Sequence, residues 1–105
     1  MRKISVSRDF SNVPAGRYYS DGPNSGQRFR VEKLVPALRR GSVEITLDAE
    51  GYGSSFLEES FGGLVREEGF AEHELHERLR FVSDDSTLVD EIWLYVASAQ
   101  RNKSE

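Results

Sequence analysis

The chain has no cysteine, one methionine, one tryptophan and three prolines in its 105 residues. Without cysteine there is neither a disulfide framework nor a thiolate metal site, which excludes the disulfide-stapled secreted scaffolds. No stretch approaches the roughly 20 apolar residues that a membrane-spanning helix needs. The basic residues Arg2 and Lys3 lead into no apolar run of the signal-peptide kind. The expected compartment is the cytoplasm. Low-complexity tracts and internal repeats are also missing, and 37% hydrophobic with 30% charged residues is the composition of a folded chain. A chain of this length buries roughly two-thirds of its unfolded surface, so residues 1–105 are read as a single domain.

Charge is present but unevenly placed. Residues 1–40 carry nine Arg and Lys against three Asp and Glu, and residues 41–105 carry five against fifteen, so the halves are +6 and −10 within a net charge of −4. An acidic total opposes general nucleic-acid binding, which needs cations to displace counterions from phosphate. The simplest expectation is that the two halves interleave and their charges pair.

Periodicity then sets the organisation. Residues 3–8 alternate Ile4 and Val6 with polar neighbours, as an outer strand does. A short β-prone Arg17-Tyr18-Tyr19 lies among the turn formers Pro14, Gly16, Gly22, Pro23 and Asn24. Ser25 caps a helix predicted to run to about Arg40, with Phe29, Val31, Leu34, Val35 and Leu38 on its apolar face and Gly41 as its stop. Pro36 lacks a backbone donor and is expected to kink or split that helix. Residues 42–48 alternate Val43, Ile45 and Leu47 with polar partners and predict a strand. A glycine loop, residues 49–53, leads to a helix from Ser55 to about Glu68, opened by a Ser55-x-x-Glu58 capping box. A short helix over 71–78, a strand over 79–83 and a last helix to about Gln100 complete the chain, the last burying Leu88, Val89, Ile92, Trp93, Val96 and Ala99. Strands alternating with helices predict an α/β fold: a small mixed β-sheet packed by about four helices, with parallel pairing across the crossovers.

No motif of catalysis is complete in this sequence. His73 and His76 share a helical face, but no third ligand accompanies them and the His-Glu-x-x-His order is absent, so a solvated charged helix is the better reading. The segment Gly51-Tyr52-Gly53-Ser54-Ser55-Phe56 sits between strand and helix, where a phosphate cradle would sit. Phe56 stands where the dinucleotide fingerprint needs its third glycine, and Gly-Lys-Ser/Thr occurs nowhere. No Gly-x-Ser-x-Gly elbow is present. These comparisons give no catalytic residue, no metal ligand and no cofactor. What remains is a pair of serines delivered to a helix N-terminus, where free N–H groups and the helix dipole favour an anion. A phosphate on Ser55, carrying about −1.5 to −2 charge, would suit that position.

Several blocks together resemble a bacterial family of unknown function called STAS-like: Pro14-Ala15-Gly16-Arg17-Tyr18, Asp21-Gly22-Pro23-Asn24-Ser25-Gly26-Gln27-Arg28-Phe29-Arg30, and Leu34-Val35-Pro36-Ala37-Leu38. The most distinctive are Gly51-Tyr52-Gly53-Ser54-Ser55-Phe56-Leu57-Glu58-Glu59 and Phe61-Gly62-Gly63-Leu64. The resemblance runs from about Phe10 to Val96. It implies likeness to sulfate-transporter and anti-sigma-factor-antagonist domains, where a strand leads into Asp-Ser-Ser-Gly and a helix. In antagonists of that kind the second serine is phosphorylated by a GHKL-type ATPase kinase and the partner is released. By position, Ser54 and Ser55 match that pair, with Ser55 as acceptor, while Gly53 replaces the aspartate and Phe56 the glycine.

The leading expectation is thus a non-catalytic module for regulatory protein–protein interaction, switched at Ser55 or Ser54, with a GHKL-type ATP-binding protein as the implied partner. Asp48, Gly51, Tyr52, Gly53, Phe56 and Glu58 would form the partner-binding loop, and Asp21, Gly22, Ser25 and Gly26 a second one. One alternative is a nucleic-acid-associated regulator using Arg28, Arg30, Lys33, Arg39 and Arg40. The other is an anion- or ligand-binding enzyme using the Gly51–Ser55 loop.

Overall fold

In the computed structural model, which describes residues 1–104, each apolar alternation in the sequence becomes a parallel strand. The strands are β1 (Arg2–Ser5), β2 (Val43–Thr46) and β3 (Leu79–Val82), in spatial order β1-β2-β3. Both pairings are parallel. Register places Ile4, Ile45 and Phe81 side by side, with Val43 beside Leu79 on the same face; Lys3, Glu44 and Arg80 align on the other. Ile4, Ile45, Val43 and Leu79 are buried, while Lys3 and Arg80 are exposed. One face of the sheet is therefore core and the other is polar.

The sheet is wholly parallel rather than mixed, because the segment expected to add a further strand does not pair. Residues 17–19 lead into a single 3₁₀ turn, Tyr19–Asp21. The Asp21 carboxylate accepts hydrogen bonds from the Arg17 and Tyr18 N–H groups at 3.1 and 2.8 Å. That local acceptor folds the β-prone residues back before they can find a ladder. The first strand is also shorter than its alternation suggests. Ser5 accepts a hydrogen bond from the Arg8 N–H and caps one helical turn, α1 (Val6–Asp9).

Helix α2 spans residues 26–38 and α3 residues 54–66, each with a π-helical stretch in its middle, Arg30–Leu34 and Glu58–Gly62. In α2 the Val35 N–H reaches back five residues to the Arg30 carbonyl, immediately before Pro36, whose nitrogen has no proton to donate. The expected break thus takes the form of a change of hydrogen-bond register inside a continuing helix. Two further helices, α4 (Glu72–Arg78) and α5 (Ser86–Ser104), flank β3. No helix among the described residues is long and apolar enough to cross a membrane.

A chain of ring contacts ties these elements together. Phe10 lies 5.0 Å from Phe29, Phe29 6.4 Å from Phe61, Phe61 5.4 Å from Phe81 and Phe81 5.5 Å from Trp93. Each such pair adds about 0.5–1.5 kcal/mol beyond simple burial. Val31, expected on the apolar stripe of α2, is 42% exposed, whereas its neighbour Arg30 is buried.

Candidate functional site

The carboxyl ends of the strands place the candidate loops. In a parallel α/β sheet, this is where connections leave the strands and ligand-binding sites are usually built. Just past β2, Asp48 Oδ2 accepts from the Ser5 hydroxyl at 2.6 Å and Oδ1 from the Ser7 N–H at 2.9 Å. Burial pushes the Asp48 carboxyl up, but these bonds outweigh it and hold the group below its ordinary value. Asp48 therefore fastens the end of β1 to the end of β2. Ser5 and Ser7 were not singled out from sequence, because nothing in their spacing announces a partner more than 40 residues away.

The rest of the loop is braced as well. The Ala49 N–H donates to the Tyr52 hydroxyl at 3.1 Å, and the Glu50 N–H lies 3.2 Å from the Asn12 carbonyl and 3.1 Å from its side-chain oxygen. Tyr52 is half-buried, and burial raises its phenol above the ordinary value. Gly51 is exposed and Gly53, in extended conformation, is the N-cap of α3. Ser54 and Ser55 are therefore the first and second residues of the helix. Both are exposed, and among the described residues neither hydroxyl has a hydrogen-bond partner.

Two expectations at this loop are corrected. The Ser55–Glu58 capping box does not form: Gly53 caps two residues earlier than the motif implies, and Glu58 is claimed by two arginines. Phe56 offers nothing to a partner, since it is 1% exposed and packs against Phe10, Phe29 and Tyr52. Half of the second loop, Ser25 and Gly26, is buried as well, while Asp21 stays exposed. Ser25 is buried and caps α2 through the Arg28 N–H at 3.2 Å, Asp21 is spent on its own turn, and Gly22 leaves that turn at φ 142°. Gly26 meets α3 so closely that a Cβ there would lie 2.5 Å from the Phe56 carbonyl oxygen.

Between α2, α3 and the first loop lies a charge network. Arg30, 3% exposed, donates to Glu59 Oε2 at 2.6 Å, to the Glu59 carbonyl at 2.7 Å and to Glu68 at 3.0 Å. Arg17 bonds Glu58 and, at 3.2 Å, Glu59; Arg66 bonds the same two at 2.8 and 3.2 Å. Burial pushes the Glu58 carboxyl up, but Arg66 and Arg17 outweigh it and hold it below its ordinary value. The motif residues Arg17, Arg30, Glu58, Glu59 and Gly63 thus build the contact between helices. An interior pair of this kind is costly to break, about 3–5 kcal/mol when one partner is removed.

This arrangement weighs on both alternatives. Of the five residues of the nucleic-acid reading, Arg30 is sealed in the network and Arg28 is held by Glu32 and the Pro23 carbonyl, leaving Lys33, Arg39 and Arg40 exposed. The loop of the enzyme reading borders a cleft of about 340 Å³ that also carries Glu50, Asp84 and Asp85. Three carboxylates repel the anion that reading needs. His76 stacks on Trp93 at 3.9 Å and lies 3.5 Å from Glu72, and among the described residues no group of three His, Asp or Glu is placed to hold a metal ion.

A small parallel sheet, helices on its apolar face and a serine pair opening the helix after the central strand define a STAS-like α/β architecture. The family described as a STAS-like domain of unknown function matches residues 25–88, and the chain belongs to it. The match excludes the block at residues 14–18. No curated protein and no solved structure gives a significant match to the chain.

Proposed function

We propose that this protein is a single-domain, non-catalytic regulatory module that binds a partner protein through the loop after β2 and is switched by phosphorylation at Ser55. The observation that supports it most is the placement of Ser54 and Ser55: exposed, their hydroxyls without a hydrogen-bond partner among the described residues, and at the start of a helix whose dipole favours added negative charge. The partner-facing residues are Gly51, the exposed side of Tyr52, Ser54 and Ser55, on a loop that Asp48 and Asn12 hold in place. A GHKL-type ATP-binding kinase is the proposed partner, in a bacterial signalling context. In the transfer, the Ser55 hydroxyl loses its proton, its oxygen bonds the γ-phosphorus of ATP, and ADP leaves. The phosphoserine then adds about −1.5 to −2 charge to the surface that a partner would cover, and that charge must be desolvated for the contact to persist. A partner docked there is released.

Intact-mass and fragment spectra of the protein recovered from its native host test this directly. The expected result is a population carrying one phosphoryl group on Ser55, absent from Ser55→Ala. Recovery of the unmodified chain alone, under every growth condition and after incubation with a GHKL-type kinase and ATP, would remove the switch.

A further inference from the structure

Of the nine basic residues in the first 40 positions, three are held in ion pairs and six, among the described residues, are not. Arg17, Arg28 and Arg30 are spent on glutamates. Arg2, Lys3, Lys33 and Arg40 are exposed and, among the described residues, have no ion pair. These four gather around one cleft of about 450 Å³ between β1 and α2. β1 is an edge strand. The floor of the cleft is Ile4, Pro36 and Ala37, with Lys33, Pro36 and Ala37 at i, i+3 and i+4 on one stripe of α2. At the carboxyl end of β1 the Ser5 N–H is already bound by Asp9 Oδ2 at 2.7 Å, and the Arg2 N–H faces β2 and bonds the Ser42 carbonyl at 3.1 Å, so the outward-facing backbone groups that remain on this edge are those of Lys3.

We propose that this cleft docks an acidic, extended peptide segment of a partner protein, its carboxylates on Arg2, Lys3, Lys33 and Arg40 and an apolar side chain against Ile4 and Ala37. Charge complementarity carries the choice of occupant. A cluster of four unpaired cations on a chain of net charge −4 is a local attractor for carboxylates. Lysine on an edge strand by itself serves to discourage strand pairing. That purpose does not account for Lys33 and Arg40, which come from another element, or for an apolar floor beneath them. Nucleic acid fits less well, because the floor of Ile4, Pro36 and Ala37 offers a phosphate backbone nothing to bond, while it suits the apolar side chains of a peptide. A peptide alternating acidic and apolar residues meets both features, and an exposed strand edge is a common seat for an extended segment. None of the cleft residues belongs to the loop after β2, so this surface is independent of the Ser55 reading.

Fluorescence anisotropy with a labelled synthetic peptide of alternating glutamate and leucine, titrated with the full chain, tests the proposal. Saturable binding that weakens with salt is expected, falling at least about tenfold in Lys33→Glu/Arg40→Glu and unchanged in Arg101→Glu. Thermal melts verify that the variants fold, and Lys33→Gln/Arg40→Gln replaces the charge reversal if it does not. Three results would overturn the proposal: no saturable binding, equal affinity in wild type and the cleft variant, or tighter binding of a short DNA duplex than of the peptide through the same residues.

Discussion

Arg30 occupies the space that a side chain at position 63 would need: a Cβ built on Gly63 would lie 2.2 Å from the Arg30 Nη1. An exposed helical glycine gains about 1 kcal/mol on replacement by alanine, but here the methyl group displaces a guanidinium from its buried carboxylates. Gly63→Ala is therefore expected to lose about 2–4 kcal/mol net, most of the cost of an interrupted buried pair. Urea unfolding measures it. Gly51→Ala, where nothing lies within 4 Å, should stay within about 0.5 kcal/mol. Equal midpoints for the two variants would show that Arg30 can swing aside freely.

Acid should weaken the fold through Glu58. Its carboxyl in the folded state lies below the ordinary value of 4.5, so on acidification the unfolded chain takes up the proton first. The stabilisation is complete above the ordinary carboxylate range and is lost as pH falls through the folded value. Unfolding curves taken from pH 7 down to about pH 3 should show a shallower loss in Glu58→Gln than in the wild type. Parallel curves would assign the acid sensitivity to other carboxylates.

At the alkaline end the relevant pair is Tyr95 and Glu91. The Tyr95 hydroxyl donates to Glu91 at 2.6 Å, and that bond, with burial, raises the phenol from 10.0 to about 12. A folded value above the unfolded one stabilises below the ordinary phenol range and fails as pH rises towards the folded value. Ultraviolet titration should find one tyrosine ionising near 12 in the wild type and none so high in Tyr95→Phe. An unchanged late step in that variant would place it on another tyrosine.

Ser55, as the second residue of α3 and not its cap, should tolerate substitution. Ser55→Ala is expected within about 0.5 kcal/mol of wild type. In Ser55→Asp the helix dipole contributes no more than about 0.3–1 kcal/mol at this exposed position. Thermal melts should thus barely move, while capture of the proposed kinase partner falls for Ser55→Asp and persists for Ser55→Ala. Equal capture by both would reduce the serine to a surface residue.

What the sequence discloses here follows the range of the interactions. Val43 to Thr46 and the heptad-like run from Leu88 to Ala99 repeat one pattern over several residues, and their elements stand where the pattern puts them. The serine pair at a helix N-terminus was legible for the same reason, from a glycine loop before a helical stripe. The short-range competitors were not: Ser5 stops β1 by capping Arg8, and Asp21 turns Arg17 to Tyr19 away from the sheet, each through one side-chain oxygen that alternation cannot register. The long-range ones were hidden altogether. Glu58 reads as half of a capping box until Arg17, 41 residues earlier in sequence, takes its carboxylate. Arg30 reads as one more surface cation until Gly63 makes room for it in the interior.

The family match begins at residue 25 and ends at 88, yet β1, Arg17 and Phe10 lie before it, and Ile92, Val96 and Ala99, all buried, lie after it. A recombinant fragment trimmed to the matched segment would strip β2 of β1, one of its two neighbours, leave Glu58 and Glu59 with Arg66 and Arg30 alone, and lay open the apolar flank that α5 covers. Such a fragment should come from expression trials insoluble or unfolded, so the useful boundaries for any shortened version lie outside Arg2 and Ala99.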